Sequence, residues 1–447
     1  VISEALLSLV RPLADRFAAE GHELYLVGGI VRDELRAKGA RTWVDVDLTT
    51  DAVPDEILRI VQPLARAVWT QGARFGTIGC RIGTTPFEIT TYRGEAYDPS
   101  SRKPRVSFAT SLMDDLARRD FTINAIAADA RDGTLHDPFG GRADLTARLL
   151  CTPMGADLSF SDDPLRMLRA ARFLARFDLS PATDIDAAIE RQRDRLRIVS
   201  AERVRDELHK LLTVDDPSRG LEFLVDHGLL DRWLPELRAL RDVHDPVDGG
   251  PDALAHVVDV VRRCAPDPVL RMAALVHDLA KAGGDLVDHP ARGARLAEER
   301  LRELRHAGDD TRAVERLVAL HHRLDDDRDG WPAPAVRRVL VDAGPHLDLL
   351  LALVSANVDA RADAALVTAR RGAVRSFVDA RDRLGETAAD QQPELDGDAV
   401  MAVLGVPPGP VVGQAQAFLR DLRIERGAIG REAAGDALRA WFGGRSR

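Results

Sequence analysis

Strand patterns are confined to the first third of this 447-residue chain; after about Asp144 nearly every segment repeats with helical periodicity. That asymmetry points to an α+β architecture, with a small α/β head and an all-helical remainder. Within the head, Leu24–Val27 is a short apolar run ending at Gly28-Gly29, and a helical pattern follows from Ile30. Val44–Thr49 alternates apolar and acidic residues, Pro54 opens a helix, and Gly76–Ile82 and Pro86–Tyr92 read as further strands. Glu95–Arg105 holds Pro99, Pro104 and few apolar residues and reads as a mobile loop. From Asp163 to Trp441 the helical pattern breaks at Ser180-Pro181, Asp216-Pro217, Asp242–Pro251 and Pro407–Pro410. The expected division is a head at 1–145, a helical neck at 146–215, a helical body at 216–250, a helical domain at 251–370 and a helical tail at 371–447.

Composition narrows what such a chain does. Lys and Arg number 62 against 72 Asp and Glu, a net charge of −10. That balance argues against a chain-wide electrostatic grip on nucleic acid and leaves room for a local basic patch. The basic residues are nearly all arginine, since the lysines are only Lys38, Lys103, Lys210 and Lys281; arginine suits planar recognition of phosphates and bases. Cys80, Cys151 and Cys264 are scattered without a CxxC pair, so neither a disulfide framework nor a zinc ribbon is expected, and a reducing cytoplasm is. The first helix, Ile2–Glu20, carries Glu4, Arg11, Asp15 and Arg16, unlike a signal peptide. No run of 18 apolar residues occurs, so no membrane span is expected. Asp325-Asp326-Asp327 reads as a solvated loop.

The strongest chemical signal is Val44-Asp45-Val46-Asp47-Leu48. Residues i and i+2 share one face of a strand, about 7 Å apart at the backbone. Two carboxylates there can converge on divalent ions about 3.5–4 Å apart. Without a cation they repel one another, so the spacing suggests Mg²⁺. Alone, the same pattern also describes the charged face of an exposed edge strand. Its neighbourhood adds weight: Gly28-Gly29 lets backbone approach a phosphate, and Arg32 stands just inside the following helix, where it can hold a triphosphate. Glu88, in Phe87-Glu88-Ile89-Thr90-Thr91, adds a third acidic group as a metal-site carboxylate or base.

Asp163 carries two readings. Followed by Pro164, it matches a helix N-cap with proline in the first turn. Asp163 and Arg166 also lie three apart on one helix face, which Arg169, Arg172 and Arg176 continue. An aspartate accepts from an exocyclic amino group, and arginine donates to a neighbouring ring nitrogen or carbonyl. Cytosine and adenine present such an amino group, whereas uracil and guanine present a carbonyl oxygen that a carboxylate repels. The residues alone leave cap and base reader open.

Taken in order, GGIVRD, DVDLTT, FEITTYR, RRDFTINAIA (Arg118–Ala127), HDPFGGRADL (His136–Leu145), DDPLRMLRAARF (Asp162–Phe173) and SAERVRDEL (Ser200–Leu208) resemble the motif series of the class II tRNA nucleotidyltransferases. That family comprises the CCA-adding enzymes and their bacterial poly(A) polymerase relatives. The resemblance covers about residues 24–212 and implies a polymerase-β-like head. It implies that Asp45 and Asp47 bind Mg²⁺ and act with Glu88 in catalysis, and that Gly28, Gly29 and Arg32 line the triphosphate. Arg119 and Asp120 then contact phosphate or sugar, with Asn124 supporting the site. Asp163 and Arg166, continued by Arg169 and Arg172, become a protein template for the base. Arg93–Arg105 matches a segment that such enzymes reposition during addition. Read alone, Asn124–Ala128 is a helix start and Arg118-Arg119 a surface basic pair.

Downstream, His256 and His277-Asp278 resemble an HD phosphohydrolase metal set. That family ends its set on a helical aspartate, and the best-placed residue in Ser355–Asp359 is Asn357, a weaker ligand. Asp359 is out of register, while His289, His321 and His322 are candidate contributors. A metal at His256, His277 and Asp278 is therefore in question, and little hydrolase activity is expected. The tail from Leu395 to Gly413 resembles the C-terminal part of long bacterial relatives. The implied activity is template-independent addition of C, C and A to the tRNA 3′ end from CTP and ATP, releasing pyrophosphate, with tRNA held by shape and backbone. The catalytic motifs do not separate this from poly(A) or partial CCA addition, and a nucleotide-sensing regulatory protein is the rival of another class. They do not fix oligomeric state.

Overall fold

The computed structural model describes residues 1–36, 45–96, 105–108, 111–244, 252–284, 289–325 and 330–445. Val44, most of the Glu95–Arg105 loop, Asp326-Asp327 and most of the Asp242–Pro251 break lie outside the described residues. The chain divides into two compact units, Val1–Leu211 with Arg219–Leu229, and Leu212–Ser218 with Leu230–Arg447. The first holds a seven-stranded mixed sheet and helices; among the described residues the second is entirely helical, so the fold is α+β.

The sheet of the first unit uses β1 (Leu24–Val27), β2 (Val46–Thr50), β3 (Ala67–Trp69), β4 (Thr77–Ile82) and β5 (Thr85–Thr91). A two-stranded ribbon, β6 (Arg93–Ala96) with β7 (Arg105–Phe108), follows, and β8 (Ala127–Asp129) and β9 (Leu135–His136) complete the sheet. The order is β3-β4-β5-β2-β1-β8-β9, with β2 and β5 parallel and the other neighbours antiparallel. Parallel pairing sets Val46, Asp47 and Leu48 opposite Phe87, Glu88 and Ile89. Side chains alternate across a strand. Val46, Leu48, Phe87 and Ile89 are buried, so Asp47 and Glu88 emerge side by side on the other face. The buried face packs with Leu6, Val10 and Phe17 of the Glu4–Ala19 helix and with Ile57 and Val61 of the Pro54–Val61 helix. Each such side chain contributes about 1.5–3 kcal/mol of burial, which holds the carboxylate pair on a rigid platform.

Three local expectations are corrected. Asn124–Ala128 does not start a helix: one 3₁₀ turn, Thr122–Asn124, leads into β8, which pairs with β1. The alanines at 125, 127 and 128 are fully buried, so sheet pairing overrides their helix preference. The Glu95–Arg105 loop is structured at its ends, where β6 and β7 pair. Strand pairing also extends past Asp144, because Leu149-Leu150 pairs in parallel with Ser180-Pro181. The helix expected from Asp163 is present as Leu165–Phe177, and a separate short helix, Ala156–Asp162, precedes it. Asp163 between them is extended at φ −139°, as a residue before proline prefers.

In the second unit, buried Arg271 donates to the carbonyls of Cys264 (2.9 Å), Leu212 (2.7 Å), Asp215 (3.1 Å) and Val214, tying the Leu212–Ser218 segment to the helices. The stretch Ala333–Asp359 is long and apolar enough by length and hydropathy to cross a membrane. It breaks at Gly344, φ +57°, and carries Arg337, whose guanidinium makes two 2.9 Å bonds to Glu386. The tail packs its own cluster of Leu395, Val400, Leu419 and Leu438.

Candidate active site

A cleft of about 390 Å³ opens in the first unit over Asp47 and Glu88, and Arg93, Arg118, Arg119, Arg166, Arg169 and Arg203 face it with Asp120 and Asp163. The strand face thus supplies acids and the facing elements supply arginines. Asp47 keeps solvent access, yet its carboxyl is pushed above the ordinary value, first by desolvation on the cleft floor and then by Glu88. Asp45, exposed at the entry to β2, adds to that repulsion, and Arg119 opposes it. Adjacent carboxylates that raise one another are relieved by a divalent cation. Oxygen-only donors suit Mg²⁺.

Arg119 reaches the cleft because Gly28 makes room. A β-carbon on Gly28 would lie 3.1 Å from Arg119 Nη1, and its φ of +72° itself favours glycine. Arg119 donates to Asp115 Oδ2 at 2.9 Å and Arg118 to Oδ1 at 2.8 Å. Asp115 is fully buried, and although desolvation pushes its carboxyl up, the two arginines bring it below the ordinary value.

Asp120 is an anchor for Arg169. Its Oδ2 accepts from Arg169 Nε and Nη2 (2.9 and 2.5 Å); its Oδ1 accepts from Asn124 Nδ2 (2.9 Å) and the Phe121 amide (2.8 Å). Desolvation would raise this carboxyl, but Arg169 and these bonds bring it down to about 2. Behind it, Asn124 Oδ1 accepts from Arg32 Nη1 at 2.5 Å, and buried Arg32 lies 4.2 Å from the Phe177 ring centre. Arg172 donates to Glu207 Oε2 at 2.7 Å. Arg32 thus reaches Asp120 through Asn124, Arg172 pairs with Glu207, and Gly28 and Gly29 lie against the guanidiniums of Arg119 and Arg32.

Asp163 uses its two oxygens differently. Oδ1 accepts the Leu165 amide at 3.1 Å, which caps the following helix, and Oδ2 accepts from Arg203 Nη2 at 2.7 Å on the cleft side. Arg166 is oriented by Ser159 Oγ (2.9 Å) and the Arg118 carbonyl (2.5 Å). Arg203, Arg93 and Arg118 were not among the expected site residues. Arg203 had a signal: it and Glu207 lie four apart on the Ala201–Leu212 helix, one holding Asp163 and the other Arg172.

In the second unit the HD-type residues converge. His256 Nε2 lies 2.9 Å from Asn357 Oδ1, and His277 Nε2 lies 3.2 Å from Asp278 Oδ2. Asp359 does not replace Asn357, since it pairs with Arg371 at 2.7 Å. Desolvation opposes ionisation of Asp278, but His277 and Lys281 hold its carboxyl well below the ordinary value. A roomier hollow of about 1070 Å³ around Leu340, Arg381 and Gln391 carries none of the motif residues.

Residues 24–151 match the family model described as the poly(A) polymerase head domain. Residues 177–240 match a probable RNA and SrmB-binding site of polymerase A, and 254–354 an HD domain. The resemblance to class II tRNA nucleotidyltransferases thus holds at the level of sequence families. The CCA-adding enzyme of Geobacillus kaustophilus is 39% identical over 239 residues, 53% of this chain and 55% of that protein. The matched stretch therefore spans about half the length of such relatives. The Bacillus stearothermophilus CCA-adding enzyme in complex with CTP shares the fold at TM-score 0.69 and 24% identity, covering 99% of both chains. The Thermotoga maritima CCA-adding enzyme complexed with tRNA aligns at TM-score 0.59 and 18% identity, over 99% of this chain and 96% of that one.

Proposed function

We propose that this chain adds C, C and A to the 3′ end of tRNA, using CTP and ATP and releasing pyrophosphate, with the base chosen by protein side chains. The observation that carries the proposal is one cleft in which Asp47 and Glu88 face Arg119 and Arg169, with Asp163 and Arg166 at its side. Likeness to CCA-adding enzymes in sequence and fold supports it. Asp45 and Asp47, with Glu88 beside them, would hold Mg²⁺, which supplies charge neutralisation at the reacting phosphate. Arg119 and Arg169 meet the triphosphate oxygens with charge-assisted hydrogen bonds. Asp115 and Asp120 fix the directions of those guanidiniums, so little reorganisation accompanies binding. Asp163 Oδ2 accepts the exocyclic amino group of C or A, and Arg166 donates to the neighbouring ring position. The tRNA is gripped by shape and backbone, because every tRNA must be accepted.

Nucleotide incorporation by Asp47→Asn and Asp45→Asn tests the acidic face. Both C and A addition should fall together. Retention of more than about a tenth of wild-type turnover, a barrier increase under about 1.4 kcal/mol, would remove that aspartate from its role.

A further inference from the structure

We infer that Arg36 and Arg176 form a phosphate-binding pair in the first unit, outside the cleft, and that it takes a backbone phosphate of the RNA whose 3′ end is extended there. The inference rests on the proposed function, because it needs an RNA substrate. Two helices run from the cleft to the pair. The Gly29–Arg36 helix begins beside Arg119, which lies against Gly28, and the Leu165–Phe177 helix begins with the cleft residues Leu165, Arg166 and Arg169. Each carries an exposed arginine in its last turn, Arg36 in one and Arg176 in the other. The two ends meet on one aromatic ring. The Arg36 guanidinium carbon lies 4.6 Å from the centre of the Phe177 ring and that of Arg176 5.2 Å from it, so the cations are less than about 10 Å apart.

Charge pairing separates these two from the other arginines of the same face. Arg169 is held by Asp120, Arg172 by Glu207, and Arg32 by Asp33 and Asn124. Arg36 and Arg176 have no acidic partner among the described residues. Asp178, the acid nearest Arg176 in sequence, is taken by Arg148 and Arg219. The Arg32 guanidinium, 4.2 Å from the same ring centre, is pulled below its ordinary pKa first by burial and also by the charge of Arg176, against Asp33.

Cation–π contact with Phe177 gathers the guanidiniums but supplies no negative charge to neutralise them. Like charges brought together without an acid are relieved by an anion, and the planar guanidinium fork matches phosphate oxygens. A backbone phosphate is the anion favoured here. A net charge of −10 leaves only local concentrations of arginine to hold RNA. At about 1.5 Å per residue, Arg176 stands about 10 Å along its helix from the cleft residue Arg169, so one RNA strand can meet both. Basic residues in a last turn also favour the helix dipole, and that role alone predicts lower stability with RNA binding untouched.

The test is binding of a tRNA transcript lacking CCA to the full chain without nucleotide, measured by fluorescence anisotropy across a KCl series. Arg36→Gln and Arg176→Gln should each weaken binding and reduce the slope of log affinity against log salt by about 0.7–0.9, with the double variant losing about twice that. Arg36→Lys and Arg176→Lys keep the charge and should keep most of the slope. KM for CTP at saturating tRNA should stay at its wild-type value. Both side chains are exposed, so the variants should fold, and thermal melts check that they do. Slopes unchanged in both glutamine variants, or a lowered melting temperature as the sole effect, overturn the inference. So does a raised KM for CTP with tRNA affinity unchanged, which gives the pair to the nucleotide triphosphate instead. A wild-type chain that does not bind tRNA overturns the proposed function and this inference with it, whereas wild-type binding with unchanged variant slopes overturns this inference alone.

Discussion

Asp163→Ser separates the two tasks that the geometry gives to one carboxylate. Oδ1 caps the Leu165–Phe177 helix through the Leu165 amide, and a serine hydroxyl accepts that bond too, so the cap contribution of about 1 kcal/mol is kept. What disappears is the Oδ2 bond to Arg203, an ion pair whose arginine side chain is 51% exposed. Exposed pairs contribute about 0.2–1 kcal/mol, so stability should fall by less than about 1 kcal/mol. Base selection should change far more. A lost pairing contact is worth about 1–3 kcal/mol, roughly 5- to 150-fold in discrimination. The rejection of UTP and GTP should weaken most, because the carboxylate that repels their carbonyl oxygens is gone. The assay compares kcat/KM for all four nucleotides on a tRNA lacking its 3′ end, alongside a urea melt. Wild-type stability with wild-type rejection of UTP would end the base-reader assignment. A loss above about 2 kcal/mol would show that serine does not replace the cap.

Two further predictions probe the scaffold. Asp120→Asn should cost about 2 kcal/mol at pH 7, because the folded carboxyl is held at about 2 against an ordinary 3.8. A depressed folded value stabilises above the unfolded one and is lost as pH falls through about 2, so the gap from wild type should shrink to about 1 kcal/mol by pH 3 in paired urea melts; an unchanged gap refutes this. Gly79→Ala should lower the melting temperature of the head, since its β-carbon would lie 1.7 Å from Trp69 Nε1 on the paired strand; overpacking of that kind costs about 1–3 kcal/mol, and an unshifted transition would show that the indole moves freely.

The acidic face was legible because alternation along Val46–Thr50 and Thr85–Thr91 is a local property: it assigned Asp47 and Glu88 to solvent-facing positions before their register was known. That Glu88 joins the same site was already expected; its register directly opposite Asp47 was not legible, because parallel pairing of β2 with β5 is set by the whole sheet. The strand at Ala127–Asp129 was hidden by alanines, whose small side chains carry no period and whose local preference is helical. Asp120 and Arg32 drew attention as charged motif residues, yet the fold spends their hydrogen bonds on Arg169 and Asn124. Arg203 escaped because its contact with Asp163 spans 40 residues of sequence. The histidines at 289, 321 and 322 lack a short motif spacing, and only helix packing brings them to Asp278.

The central claim is tested most directly by the product itself. A tRNA transcript ending at the base before CCA is incubated with the full chain, Mg²⁺ and each nucleotide alone, then with CTP and ATP together, and the 3′ ends are sequenced. The account predicts addition of two C residues from CTP alone, completion to CCA with both nucleotides, and termination there, with UTP and GTP excluded. Long A tracts from ATP alone, or incorporation of all four nucleotides at similar rates, would contradict it.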